Sequence, residues 1–195
     1  MKLSTFAAAG TAAFLCMAAP AAYAATVFDL TGTGGTDSSY DFNEDGIGLT
    51  VTGMRDFFGW GSADIHQTNE GLGVTGWLDT SDEADGQFDE YMLFSFDQDV
   101  SMMEIAFNHI DSDDPYNIYV DSGSGFTLVD ANAMTNPYTF SPFLTGNTLK
   151  VAVTDNSSAF RIASVTVNTV PVPAAGVLLL AGLGSLAAVR RRRKH

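Results

Sequence analysis

Residues 91–108 read YMLFSFDQDVSMMEIAFN, with apolar side chains recurring two residues apart. Met92, Phe94 and Phe96 occupy alternate positions, which places them on one face of an extended strand. Met103, Ile105 and Phe107 repeat the pattern further on. Between them lies Asp97-Gln98-Asp99, polar enough to read as a tight turn that folds one strand back on the other. Downstream, short runs rich in β-formers recur as NIYV (117–120), FTLV (126–129), TLKVAVT (148–154) and RIASVTVNTV (161–170). In TLKVAVT the residues Leu149, Val151 and Val153 again share one face. Upstream, SYDFNEDGIGLTVTGM (39–54) suggests strand–turn–strand with Asp45-Gly46 at the turn. No long segment carries a 3.6-residue period. The expectation is an all-β body, an antiparallel β-sandwich of jelly-roll-like form with about eight to ten strands. The Gly- and Asp-rich stretch 59–90 reads as long loops at one end of it.

The two ends differ in character. MKLSTFAAAGTAAFLCMAAPAAYAA opens the chain with Lys2, an apolar run over 6–17 and then small residues, the order of a secretory signal peptide. Ala22-Tyr23-Ala24 supplies the small-x-small cleavage pattern, which sets the signal peptide at 1–24. The single cysteine, Cys16, falls inside it, and Leu15 before it speaks against lipidation. The mature chain therefore has neither a disulfide nor a thiol nucleophile. At the other end, 174–189 carries no charge. As a helix it would reach about 24 Å, slightly short of the ~30 Å hydrocarbon core but able to span it with snorkelling arginines. Pro171 and Pro173 keep the helix from starting earlier. Arg190, Arg191, Arg192, Arg193 and Lys194 follow, and such a basic cluster resists translocation and stops transfer. The organisation expected is a signal peptide (1–24), one acidic β-sandwich domain (25–169) and a C-terminal sorting signal (170–195).

That tail resembles a known class. VPVPA (Val170, Pro171, Val172, Pro173, Ala174), then an apolar helix, then an arginine cluster, looks like the PEP-CTERM sorting signals of bacteria. It is similar to the VPLPA-CTERM subtype, with Val172 where that subtype has Leu. The resemblance implies export in a Gram-negative bacterium and recognition of the Pro motif by a membrane-embedded, exosortase-type cysteine transpeptidase. It also implies an intermediate anchored in the inner membrane through the C-terminal helix, then transfer to the cell surface or the exopolysaccharide matrix. GLGVTG (71–76) with FDEYMLFSF (88–96) further resembles a segment of exported β-sandwich proteins that bear such tails.

Charge narrows what the body can do. All 23 acidic residues lie in 25–169 against Arg55, Lys150 and Arg161, a net charge of −20. Nucleic acid is excluded as a partner, because phosphates need basic neutralisation. The same charge disfavours direct docking on anionic lipid and favours solubility or cation binding. Nucleophilic catalysis lacks its parts. There is no cysteine, no G-x-S-x-G and no H-E-x-x-H, and His66 and His109 stand apart in sequence. A carboxylate pair for glycoside hydrolysis stays open as an alternative.

The acidic segment DTSDEADGQFDE (79–90) offers Asp79, Asp82, Asp85, Asp89 and Glu90 as ligands. Calcium takes six to eight oxygens at ~2.3–2.6 Å, and it would relieve the repulsion among these carboxylates. The other reading is a solvated acidic loop. DFNEDG (41–46) matches the opening of a calcium loop, but Thr52 stands where the bidentate acid belongs, so a polar hairpin turn competes with it. DSDDP (111–115) reads as a capped turn before Pro115. Trp60 and Trp77 are the candidates for stacking on sugar, with Tyr116, Tyr119 and Tyr138 behind them, and core filling is the competing role of such rings. The sequence thus points to a non-enzymatic, exported surface or exopolysaccharide-matrix protein. A calcium-dependent carbohydrate-binding module is the alternative, and a glycan-active hydrolase a further one.

Overall fold

The computed structural model describes residues 24–56, 61–76, 79 and 81–170. Most of the expected signal peptide, Pro171, Val172, Pro173, Ala174, the expected 174–189 helix and the basic residues 190–194 lie outside these residues, as do Trp60 and Trp77. No helix among the described residues is long and apolar enough to cross a membrane.

The described chain is all-β and antiparallel. Its strands are β1 (Thr26–Asp29), β2 (Gly35–Asp37), β3 (Ser39–Glu44), β4 (Ile47–Arg55), β5 (Asp64–Thr68), β6 (Gly71–Thr75), β7 (Ala84–Asp85), β8 (Glu90–Asn108), β9 (Tyr116–Asp121), β10 (Phe126–Ala133), β11 (Tyr138–Val153) and β12 (Ala159–Thr169). They form one hydrogen-bonded network of twelve strands in the order β10-β9-β11-β8-β12-β6-β5-β2. β1 and β7 also pair with β12, and the β3–β4 hairpin joins β8 through β4. That hairpin turns at Asp45 (φ 52°) and Gly46 (φ 79°), two successive left-handed residues that suit a two-residue loop between twisted strands.

β8 organises the rest, and it corrects the expected turn at 97–99. Asp97-Gln98-Asp99 does not reverse the chain; it lies within one 19-residue strand. The first half of that strand runs between β4 and β11, and the second half between β11 and β12. Where β8 exchanges β4 for β12, it spends three more residues than β11 between the pairs Thr148↔Ser95 and Gly146↔Val100. The excess bulges outward and puts Asp97, Gln98 and Asp99 in solvent. A second irregularity between Thr166 and Val167 adds one residue to β8 and resets its alternation. Hence Met102 and Ile105 are both buried, while Met103, expected inward, is not.

The stretch 59–90 is also more ordered than loops. It holds the β5–β6 hairpin, β7 and a 3-10 turn at Gly86–Phe88. β6 escapes notice because only Leu72 and Val74 mark its core face, while Gly71 and Gly73 on the other face meet backbone. A Cβ on Gly73 would lie 2.1 Å from the Asp82 carbonyl oxygen, so only glycine lets the 82–83 segment close over the strand.

The core is built from alternate residues of these strands. Leu149, Val151 and Val153 are buried as their spacing suggests, and so are Met92, Phe94 and Phe96. Phe107 anchors an aromatic cluster, with its ring centroid 4.5 Å from that of Tyr116 and 5.3 Å from that of Phe160. Contacts of this kind contribute beyond the area they bury.

Candidate metal centre

The inward-facing stripe of β4 runs Ile47, Leu49, Val51, Gly53, Arg55, and that of β8 begins Glu90, Met92, Phe94, Phe96. Both stripes therefore end on a charged residue, and Arg55 and Glu90 are direct register partners. Glu90 is 0% exposed. An ionised group in such a place needs compensation, since burial strongly disfavours charge.

The chain between β6 and β8 brings two more carboxylates to it. Asp79 folds its own turn, with Oδ1 accepting the Ser81 N–H at 2.8 Å. Ser81 is held by Thr75 Oγ1, which donates to the Ser81 carbonyl at 3.0 Å. Asp85 caps the 3-10 turn by accepting the Gln87 N–H at 2.9 Å. The Asp85 N–H in turn donates to Glu90 Oε2 at 3.0 Å. Asp79, Asp85 and Glu90 thereby each bring an oxygen within 4.8 Å of the others'. Within this carboxylate group, Asp79 Oδ2 and Glu90 Oε1 are buried without a hydrogen-bond partner.

Burial pushes the Glu90 carboxyl from 4.5 up to about 8; the charges of Asp85 and Asp79 add to the rise, against the Asp85 N–H bond and the Arg55 guanidinium. Asp79 is raised as well, again chiefly by burial. A hydrogen bond between Asp79 and Glu90 exists only when one of them carries a proton. The two orphaned oxygens thus have two ways to be satisfied, a shared proton or a bound cation. The donors are all oxygens, which suits a hard cation rather than zinc or copper. This acidic group could hold a metal ion.

Asp82 and Asp89, named with these three from the sequence, lie elsewhere. Asp82 turns to Arg161 of β12, whose Nη1 donates to its carbonyl at 2.8 Å and whose Nη2 donates to its carboxylate. Asp89 is exposed, sits at φ 52° and ends the 3-10 turn. The other acidic segments satisfy themselves. Asp41 accepts from Thr50 Oγ1 at 2.6 Å and Asp45 from Thr26 Oγ1 at 3.0 Å, while Asp114 caps the 111–114 turn through the Asp111 N–H at 2.7 Å.

Of the aromatic candidates, Tyr116 and Tyr138 are core residues. Tyr119 is partly exposed, and the Lys150 ammonium lies 5.0 Å from its ring centroid and 3.9 Å from that of Tyr91.

His66 and His109 are not isolated in space. His109 Nε2 lies 2.8 Å from Glu70 and Nδ1 3.0 Å from Glu83. His66 Nε2 lies 3.5 Å from Asp82, and its Nδ1 is 2.7 Å from Thr36 Oγ1. Arg161 sits among the same acids, 4.0 Å from Glu70 and 3.7 Å from Glu83. No protein-family model matches this chain, and no curated protein matches it.

Proposed function

We propose that this chain is an exported, non-catalytic surface or exopolysaccharide-matrix protein whose acidic body, a β-sandwich, is locked by one calcium ion bound to Asp79, Asp85 and Glu90. The observation that carries this reading is the pair of buried, unpartnered oxygens, Glu90 Oε1 and Asp79 Oδ2. Calcium fits better than magnesium. It accepts irregular oxygen geometry, and backbone carbonyls or water can complete its six to eight ligands. Three carboxylates near one guanidinium favour a divalent charge. Glu90 is too deeply buried to touch a polymeric substrate, which speaks for a structural rather than a hydrolytic role.

Delivery is the other half of the reading. The first named strand begins at Thr26 and the last ends at Thr169. Removal of 1–24, and cleavage by an exosortase-type transpeptidase within Val170, Pro171, Val172, Pro173 and Ala174, would leave every one of those strands whole. The apolar 174–189 segment and the basic cluster would hold the intermediate in the inner membrane. A net charge of −20 would then keep the released body hydrated among extracellular polysaccharides. Intact mass of the protein from its native host tests this directly. The expected species starts at Ala25 and lacks the basic cluster; a species that still carries His195 contradicts the sorting step.

A further inference from the structure

The segment between Asp79 and Asp85 is fastened from outside the carboxylate group. Arg161 grips Asp82 at two points. Next to it, Glu83 meets His109 Nδ1 at 3.0 Å, while Nε2 of the same ring meets Glu70 at 2.8 Å. A carboxylate only accepts hydrogen bonds, so both ring nitrogens must donate, and that requires the imidazolium. The ring is thrown into this position by a backbone at φ 52°, a region few non-glycine residues occupy. Asn108 ties the same corner down, its Nδ2 donating to the Glu70 carbonyl at 2.7 Å.

We propose that His109 is a positioning residue for the cation centre: as an imidazolium it clamps Glu83 to the Glu70 turn and so holds the Asp79–Asp85 segment ready for calcium. This rests on the reading that Asp79, Asp85 and Glu90 bind calcium. The charged groups facing the ring are Glu70 from the β5–β6 turn, Glu83 from the segment before β7 and Arg161 from β12; Asp82 and His66 lie behind them. The Glu70 hydrogen bond is the main cause that raises the affinity of His109 for its proton, helped by the charges of Glu70 and Glu83 and opposed by desolvation and Arg161. Neutral His109 has one donor and must release one acid. The clamp therefore weakens as pH rises.

The test is calorimetric titration of calcium chloride into the mature protein, into His109→Gln and into Glu83→Gln, at pH 7 and pH 9.5. His109→Gln binds calcium roughly three- to tenfold more weakly than wild type at pH 7, the value of about one hydrogen bond, and equally at pH 9.5. Glu83→Gln opens the clamp from the other side; it reads out the same pH 7 loss should His109→Gln fail to fold. Equal affinity at pH 7 in the folded variants, or a deficit that persists unchanged at pH 9.5, overturns the clamp and leaves the centre standing. Absence of calcium binding by the wild type at both pH values overturns the centre, and the clamp with it.

Discussion

Glu90→Gln should stabilise this protein in the absence of calcium. The wild-type carboxyl ionises at 4.5 when unfolded and at about 8 when folded. At about 1.4 kcal/mol per pH unit, the ionised group is roughly 5 kcal/mol worse off in the fold than outside it. Below pH 4.5 the group is protonated in both states and nothing is lost. Between 4.5 and about 8 only the folded chain holds the proton, so stability falls as pH rises, by about 3 kcal/mol at pH 7. Above about 8 the folded group ionises too, and the loss levels off. Glutamine has the same shape and no charge to bury. Its carbonyl can keep the Asp85 N–H, and its amide can donate to Asp79. In chelator, chemical denaturation of the two proteins should give nearly equal stabilities at pH 4. At pH 7 the variant should lead by roughly 2–3 kcal/mol, or on the order of 5–10 °C in Tm for a domain of this size. The variant should also lose most of its response to calcium. A variant that is less stable than wild type at pH 7 in chelator, or one whose stability follows the wild-type pH curve, would refute the assignment of Glu90 as a buried carboxyl awaiting a cation.

Two further outcomes follow from the fold. Gly73→Ala places a Cβ 2.1 Å from the Asp82 carbonyl oxygen, so the covering segment must move; a stability loss of roughly 1–3 kcal/mol and weaker calcium binding are expected by denaturation and titration. Phe107→Ala empties the centre of the aromatic cluster shared with Tyr116 and Phe160, and urea denaturation should report a loss of roughly 3–5 kcal/mol.

Much of the sheet was legible where side chains alternate cleanly. Met92, Phe94 and Phe96, the 149–153 alternation and the Asp45-Gly46 turn all read directly. The failures have physical causes. Asp97-Gln98-Asp99 is turn-like in composition, but composition cannot tell a reversal from a bulge that faces solvent. Met103 reads as inward in the sequence, because the one extra residue in β8 that shifts the alternation leaves no trace there. β6 is faint in the sequence because Gly71 and Gly73 supply no side-chain pattern where backbone packs on backbone, which leaves only Leu72 and Val74 to mark the strand.

At the site, the 79–90 segment stood out by charge, yet the roles within it did not. The alternation of 92, 94 and 96, extended back one step, does place Glu90 inward, and the same step along β4 places Arg55 there. Asp82 belongs instead with Arg161, 79 positions away, a pairing that only the fold creates. The His109 clamp was illegible for the same reason, since Glu70, Glu83 and His109 meet only once β5, β6, β8 and β12 are assembled.

The calcium centre is tested by the melting temperature of the mature protein at pH 8, in calcium and then in excess chelator. With a dissociation constant of about 0.1 mM, within the range of extracellular calcium modules, about 10 mM calcium contributes roughly 2.7 kcal/mol. Tm should rise by roughly 5–10 °C, return on chelation, and respond far less to magnesium. A Tm that is the same in calcium and in chelator contradicts the claim that Asp79, Asp85 and Glu90 enclose a calcium ion.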